Sequence, residues 1–279
     1  MILIYVVILV GILAAIEQYL DKHLVNIGIS RKDYFYYMCL TMIPFSIIMV
    51  IIEYFTGQLK FEFGIIPMIL LIFAMYLRYK KQHTIVGCFK YLNPYEVPAY
   101  MTLSIIIAFI IDVILGIEHL GIIAILSILL TVIGVFIIAD SKIKIKNLQK
   151  DLLIRIATSL LLSYVTHFIL QYWSNAVFIL ILNLLLAIIF SKGYNLKYHV
   201  EHKNILKWTF IQQIFGFCSV YLGNYLSSNS VTLNSYIRPT TIIVVVIMSM
   251  FFKEKDRRPT LKQLLGILLV VTGICLINR

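Results

Sequence analysis

Residues 2–17 read ILIYVVILVGILAAIE: fifteen uncharged, mostly apolar residues in a row, and then a carboxylate. A helix needs about 20 such residues to cross a hydrocarbon core roughly 30 Å thick. The run does not alternate, which argues against a barrel strand. In lipid its backbone polar groups can be satisfied within the segment only as a helix. Runs of the same kind recur as far as Ile277, and nearly every charge falls between them. Hydrophobic residues make up 61% of the 279 and charged residues only 13%, too few to cover one soluble domain. The composition therefore predicts an all-α integral membrane protein whose principal partner is the lipid bilayer. Charges inside a run become the best pointers to function, because an ionisable group in hydrocarbon costs several kcal/mol unless it faces protein or water.

The apolar runs predict ten transmembrane helices, near 2–20, 34–56, 67–92, 97–116, 120–139, 153–173, 175–191, 206–227, 231–252 and 262–277. The strongly polar link 140–152 falls at the middle. It separates an N-terminal five-helix repeat, 1–139, from a C-terminal one, 153–279. The halves share an outline. Tyr91-Leu92 leads to Pro94 and Pro98, an apolar run and Gly116-Ile117-Glu118; Tyr225-Leu226 leads to Arg238-Pro239, an apolar run and Phe252-Lys253-Glu254. Each half closes with a Gly-bearing apolar helix. Five spans per half would set the copies in opposite orientations, as two inverted repeats with substrate at their interface near the midplane.

The turn Gly116-Ile117-Glu118, its partner Lys253-Glu254 and the closing helix from Gln263 through Gly266 to Gly273 resemble the drug/metabolite transporter superfamily, and within it the EamA-like ten-span group. The resemblance spans essentially the whole chain on short motifs. It implies secondary transport of a small metabolite. Ile16-Glu17 stands where the family often has Trp-Gly, and the third span is unusually charged, so no substrate is carried over.

Net charge is +11. Lys and Arg concentrate in the links after spans one, five, seven and nine, which the positive-inside rule assigns to the cytoplasm, with both termini outside. The expected setting is a prokaryotic plasma membrane. No folded basic face is available for nucleic acid. The first run lacks a basic start and a cleavage site and is retained as a span. Cys39, Cys88, Cys218 and Cys275 form no CxxC pair and read as buried small hydrophobes, not a metal site. No cofactor motif is present, and no P-loop for ATP.

Inside the spans, Glu17 is a candidate proton carrier and substrate contact, with Asp21 on the same face at i+4. The competing expectation is a helix that ends near Leu20 and leaves Glu17 at the water interface. Arg78, Lys80, Lys81 and His83 in span three either line a cavity or begin a loop near Tyr79. In a cavity, Arg78, Lys81 and His83 would suit a carboxylate or phosphate, Arg offering a bidentate fork and Lys a point charge. His167, with Tyr164 and Gln171 on a polar stripe of span six, is either a second proton-coupling candidate or a helix-to-helix hydrogen-bond partner. Gln212, Asn234, Tyr236 and Arg238 complete the candidate substrate contacts.

The expected function is a secondary active transporter of a small polar metabolite, anionic or zwitterionic, by alternating access and with possible proton coupling. Spans one, three, six, eight and nine would line its cavity. The alternatives are a flippase for a lipid-linked sugar or phosphate, and a non-transporting membrane subunit. An intramembrane enzyme is disfavoured, since the histidines scatter and no HExxH or close carboxylate pair appears. The sequence does not fix the oligomeric state. Cysteines substituted at positions 78 to 83 should be reached by water-soluble thiol reagents and protected by a bound ligand. Access from one face with no protection by any ligand would contradict an anion site there.

Overall fold

The computed structural model describes residues 2–92, 96–138, 150–194, 198, 202–251 and 260–276. Pro94, the Lys253-Glu254 turn and link residues 140–149 lie outside them. Among the described residues the chain is helical, apart from one isolated bridge between Phe61 and Trp173. The helices are α1 (Ile2–Asn26), α2 (Arg31–Phe55), α3 (Ile65–Tyr91), α4 (Glu96–Met101), α5 (Ser104–Ile114), α6 (Ile122–Ile138), α7 (Lys150–Ile169), α8 (Asn175–Phe190), α9 (Lys203–Asn229), α10 (Val231–Ser235), α11 (Ile237–Phe251) and α12 (Leu261–Leu276).

Five segments are long and apolar enough to cross a membrane: α1, α2, α4 with α5, α7, and Val231–Met248. Ile122–Ile138, Asn175–Phe190 and Leu264–Leu276 are shorter apolar helices. The side chains are distributed as a bilayer demands. Ile47, Ile48, Ile51 and Ile52 of α2, and Ile66, Ile69 and Ile72 of α3, face outward. Glu53, Arg78, Asp112 and Arg155 are buried. This is the pattern of a multi-pass membrane protein.

Two helices run further than the sequence required. α1 continues to Asn26, so Glu17 is not at a helix end. α3 is continuous to Tyr91, so Arg78–His83 lies in mid-helix and not in a loop. α7 starts at Lys150, three residues before the expected second half. Cys39 and Cys88 are buried as expected, but Cys218 and Cys275 are exposed on the outer faces of α9 and α12.

The principal helix pairs are α1 with α9 and with α11, α3 with α7, α2 with α8 and α6 with α12. α5 packs on α10, and α4 on α11. Two segments are broken. α4 gives way to α5 at Thr102-Leu103, where the Thr102 and Ser104 hydroxyls donate to the Pro98 and Met101 carbonyls in competition with backbone donors. α10 gives way to α11 at Tyr236, because Pro239 cannot donate a backbone bond to Ser235 four residues back.

Buried carboxylates fasten the start of two helices. Asp112 of α5, fully buried, accepts from Tyr164 Oη (2.8 Å), Ser230 Oγ (3.0 Å), Thr232 Oγ1 (2.8 Å) and the Thr232 backbone N–H (2.8 Å), which caps α10. Glu53 of α2 accepts from Ser174 Oγ, the Ala176 N–H (3.0 Å) and Tyr221 Oη (2.9 Å), which caps α8. α5 itself stops at Gly116, whose φ of 71° lets the chain turn back so that Ile117 and Glu118 donate to the Asp112 carbonyl.

At the other end of the bundle, Arg31 pairs with Asp151 at 2.6 Å over Gly87, whose missing side chain makes the room. Nearby, Asp33 accepts from Tyr194 and Tyr198. Burial and the Asp33 bond push the Tyr194 phenol up, so it remains a donor at neutral pH.

Two apolar clusters flank the molecule's centre. One unites Val10, Ala14, Ile105, Phe109, Ile242 and Val270. The other unites Phe35, Met42, Leu77, Leu162, Trp173 and Phe178. The α6–α12 pair closes through glycine: a Cβ on Gly134 would meet the Gly266 carbonyl oxygen at 2.7 Å, and one on Gly273 the Ser127 oxygen at 2.7 Å.

Gly273→Val should destabilise the detergent-solubilised protein by about 1–3 kcal/mol through overpacking, while Val271→Ala on the exposed face of α12 should change little. Asp112→Ala should cost about 3 kcal/mol by stranding its buried donors. Thermal unfolding of the three variants checks both expectations.

Candidate functional site

A cavity of about 100 Å³ lies in the seam between the two apolar clusters, with Ala14 and Ile237 of one and Leu162 of the other in its wall. Each lining helix contributes polar side chains at helical spacing. α1 gives Glu17, Gln18 and Asp21; α3 gives Arg78, Lys81 and Gln82. α7 gives Arg155, Ser159, Ser163 and Thr166, a stripe along one face. α9 gives Ser219, Gly223 and Asn224. The broken segment gives Asn234 from α10 and Arg238 from α11. Because the chain is interrupted at Tyr236, these two approach the cavity from different helices.

Six charged groups line this small space: four cations and two carboxylates. The carboxylates are held from the α9 side. Asp21 is 1% exposed and accepts from Tyr34 Oη at 2.6 Å and from Gln212 Nε2 at 3.1 Å. Gln212 Nε2 also reaches Glu17 Oε1 at 3.3 Å, and Gln213 in turn donates to Gln212 Oε1.

The cations are held differently. Arg78 Nη2 faces the Met42 sulfur at 3.2 Å, a weak acceptor. Arg155 Nη1 donates to the Lys81 carbonyl at 2.9 Å, and Arg238 Nη2 to Ser159 Oγ at 3.1 Å. Among the described residues the buried Nε atoms of Arg78 and Arg155 have no hydrogen-bond partner. Among the described residues no carboxylate lies within ion-pair distance of any of the four. Lys81, Arg78, Arg155 and Arg238 are nevertheless all near enough to Glu17 to act on it electrostatically.

Of the residues singled out in the sequence, Glu17, Arg78, Lys81, Asn234 and Arg238 line the cavity, and Gln212 forms its second layer. Three are elsewhere. His83 is turned round α3 and stacks on Tyr79, one helical turn earlier. His167 shares a hydrogen bond with the Ser227 carbonyl at 2.8 Å. Tyr236 is buried with its hydroxyl 2.7 Å from Ser127 Oγ. Arg155 was not singled out, although Arg155-Ser159-Ser163-Thr166 at helical spacing was its signal.

Among the described residues no three His, Cys, Asp or Glu side chains come together to hold a metal ion. No protein-family model matches the chain, and no curated protein matches it.

The arrangement is costly when empty. Arg78 and Arg155 are buried, and Lys81 and Arg238 half-buried, in an apolar bundle that sets only two carboxylates beside them. Arg78→Met, which removes one charge at similar volume, should therefore stabilise the ligand-free protein by about 1–3 kcal/mol. A lowered melting temperature would make Arg78 a structural residue.

Proposed function

We propose that this protein is a secondary active transporter that moves a small anionic metabolite across the membrane by alternating access between two five-helix inverted repeats. The observation that carries the proposal is the central cavity, where Arg78, Lys81, Arg155 and Arg238 converge without an ion-pair partner among the described residues. Buried, uncompensated charge is kept where a ligand supplies the compensation.

The helix contacts support the repeat. Exchanging the halves turns the α1–α9 pair into α7–α3, and the α4–α11 pair into α10–α5; α2–α8 and α6–α12 map onto themselves, while the extensive α1–α11 pair has only a slight α7–α5 counterpart. The two broken segments, α4–α5 and α10–α11, are likewise mates. Ten spans follow if the three shorter apolar helices cross, together with α3 and α9 at 27 residues each. The drug/metabolite transporter resemblance of the sequence agrees with this arrangement. The substrate would sit where broken helices from one half face intact helices of the other.

The two ends differ. At the lysine-rich end, assigned to the cytoplasm, the Arg31–Asp151 pair, the Asp33 cluster and Lys22 bonded to the Phe89 carbonyl tie helices across the mouth. At the other end a second cavity of about 440 Å³ is lined by Glu53, Asn175 and Tyr225 among others. The Asn224–Asn175 hydrogen bond, 2.9 Å, lies between it and the central cavity. Access would alternate by opening one set of ties at a time.

Glu17, beside the cations and bonded by Gln212, is the proposed proton-linked switch. Purified protein in proteoliposomes should catalyse counterflow of small anions. Glu17→Gln should retain ligand binding and lose any stimulation of uptake by an imposed proton gradient. Unchanged proton dependence in that variant would remove Glu17 from the coupling step.

A further inference from the structure

Resting on the transport reading of this cavity, the charge count identifies the class of solute. We infer that the site is built for a compact dianion, one phosphate-, sulfate- or short-dicarboxylate-sized solute carrying two negative charges. With Glu17 and Asp21 ionised and Arg78, Lys81, Arg155 and Arg238 protonated, the lining carries a formal surplus of two positive charges. A neutral or zwitterionic solute leaves both uncompensated, a monoanion leaves one, and a cation adds to them. A dianion brings the buried site to neutrality, the condition under which charges are tolerated away from water.

The hydrogen-bonding inventory points the same way. Donors are in excess, although Gln18 Oε1 in the lining is also without a hydrogen-bond partner among the described residues. Asp21 is taken by Tyr34 and Gln212, and Glu17 by Gln212. Each guanidinium has five N–H groups. Arg78, 4% exposed, spends one on a sulfur atom; Arg155, 8% exposed, spends one on a backbone carbonyl; both keep a buried Nε without a partner among the described residues. Groups of this kind match carboxylate or phosphoryl oxygens, which accept several charge-assisted bonds at once. The volume, about 100 Å³, suits a compact headgroup with little attached.

The test is ligand-induced thermal stabilisation of the full-length protein in detergent, at pH 8 and constant chloride. The probes are inorganic phosphate, sulfate, succinate and monomethyl succinate, the last differing from succinate by one charge. Phosphate, sulfate or succinate should raise the melting temperature. For a dicarboxylate site, the midpoint for succinate should be at least tenfold lower than for monomethyl succinate. Stabilisation by phosphate and sulfate alone would assign the tetrahedral oxyanions instead. Arg78→Gln and Arg155→Gln should each lose at least tenfold in dianion affinity, whereas Lys90→Gln, on the exposed face of α3, should not. Should either variant fail to fold, the wild-type probe series still decides. Equal stabilisation by succinate and its monomethyl ester, or none by any dianion, would overturn the inference. Dianion-selective binding without counterflow in proteoliposomes would support the site and reject the transporter. Counterflow with no charge preference would do the reverse.

Discussion

Four positive side chains crowd one small space inside an apolar bundle, and the two carboxylates there are already bonded elsewhere. The rest of the molecule can be understood as what it takes to keep that arrangement folded. Arg78 and Arg155 are drawn from the middle of α3 and the start of α7, which pack along each other, so their repulsion is opposed by a long apolar contact. Glu17 and Asp21 accept from Gln212 and Tyr34 and not from the arginines. Excess charge is thus left for the proposed solute to balance.

The same logic of satisfied polar groups explains the framework. Asp112 and Glu53 lie in apolar helices and would be as costly as the arginines if they stood alone. Each is instead saturated by donors from a helix start in the opposite half of the chain. They fix the framework, while the cavity cations keep unused donors. Buried charges of similar depth therefore divide by whether their hydrogen-bonding capacity is filled, and the proposed site takes those in which it is not.

Much of the fold was legible because lipid imposes a simple rule on composition. The apolar runs located the helices, and Thr84 to Leu92 was apolar enough to carry α3 past its charged middle. The breaks at Thr102 and Tyr236 were foreshadowed only by nearby prolines. The site was legible in part. Glu17, Arg78 and Lys81 stood out as charges within runs. Arg155 did not, because it follows a link full of lysines and read as one more positive charge at a span start. His83 was misplaced by helical phase, since the cavity face of α3 carries Arg78, Lys81 and Gln82; of the two readings of His167, the helix-to-helix hydrogen bond is the one present, and the cavity face of α7 carries Ser159, Ser163 and Thr166. Asp112 and Glu53 escaped notice because their partners lie some 120 residues away in sequence. No local pattern announces such a pair.

The most direct measurement is anomalous scattering from crystals of the protein grown with selenate, an electron-rich dianion. A selenium peak inside the cavity, within hydrogen-bonding distance of the Arg78 and Arg155 guanidinium groups, is the predicted result. Selenium found solely on the protein surface, with carboxylates swung onto the arginines in the central cavity, would contradict it.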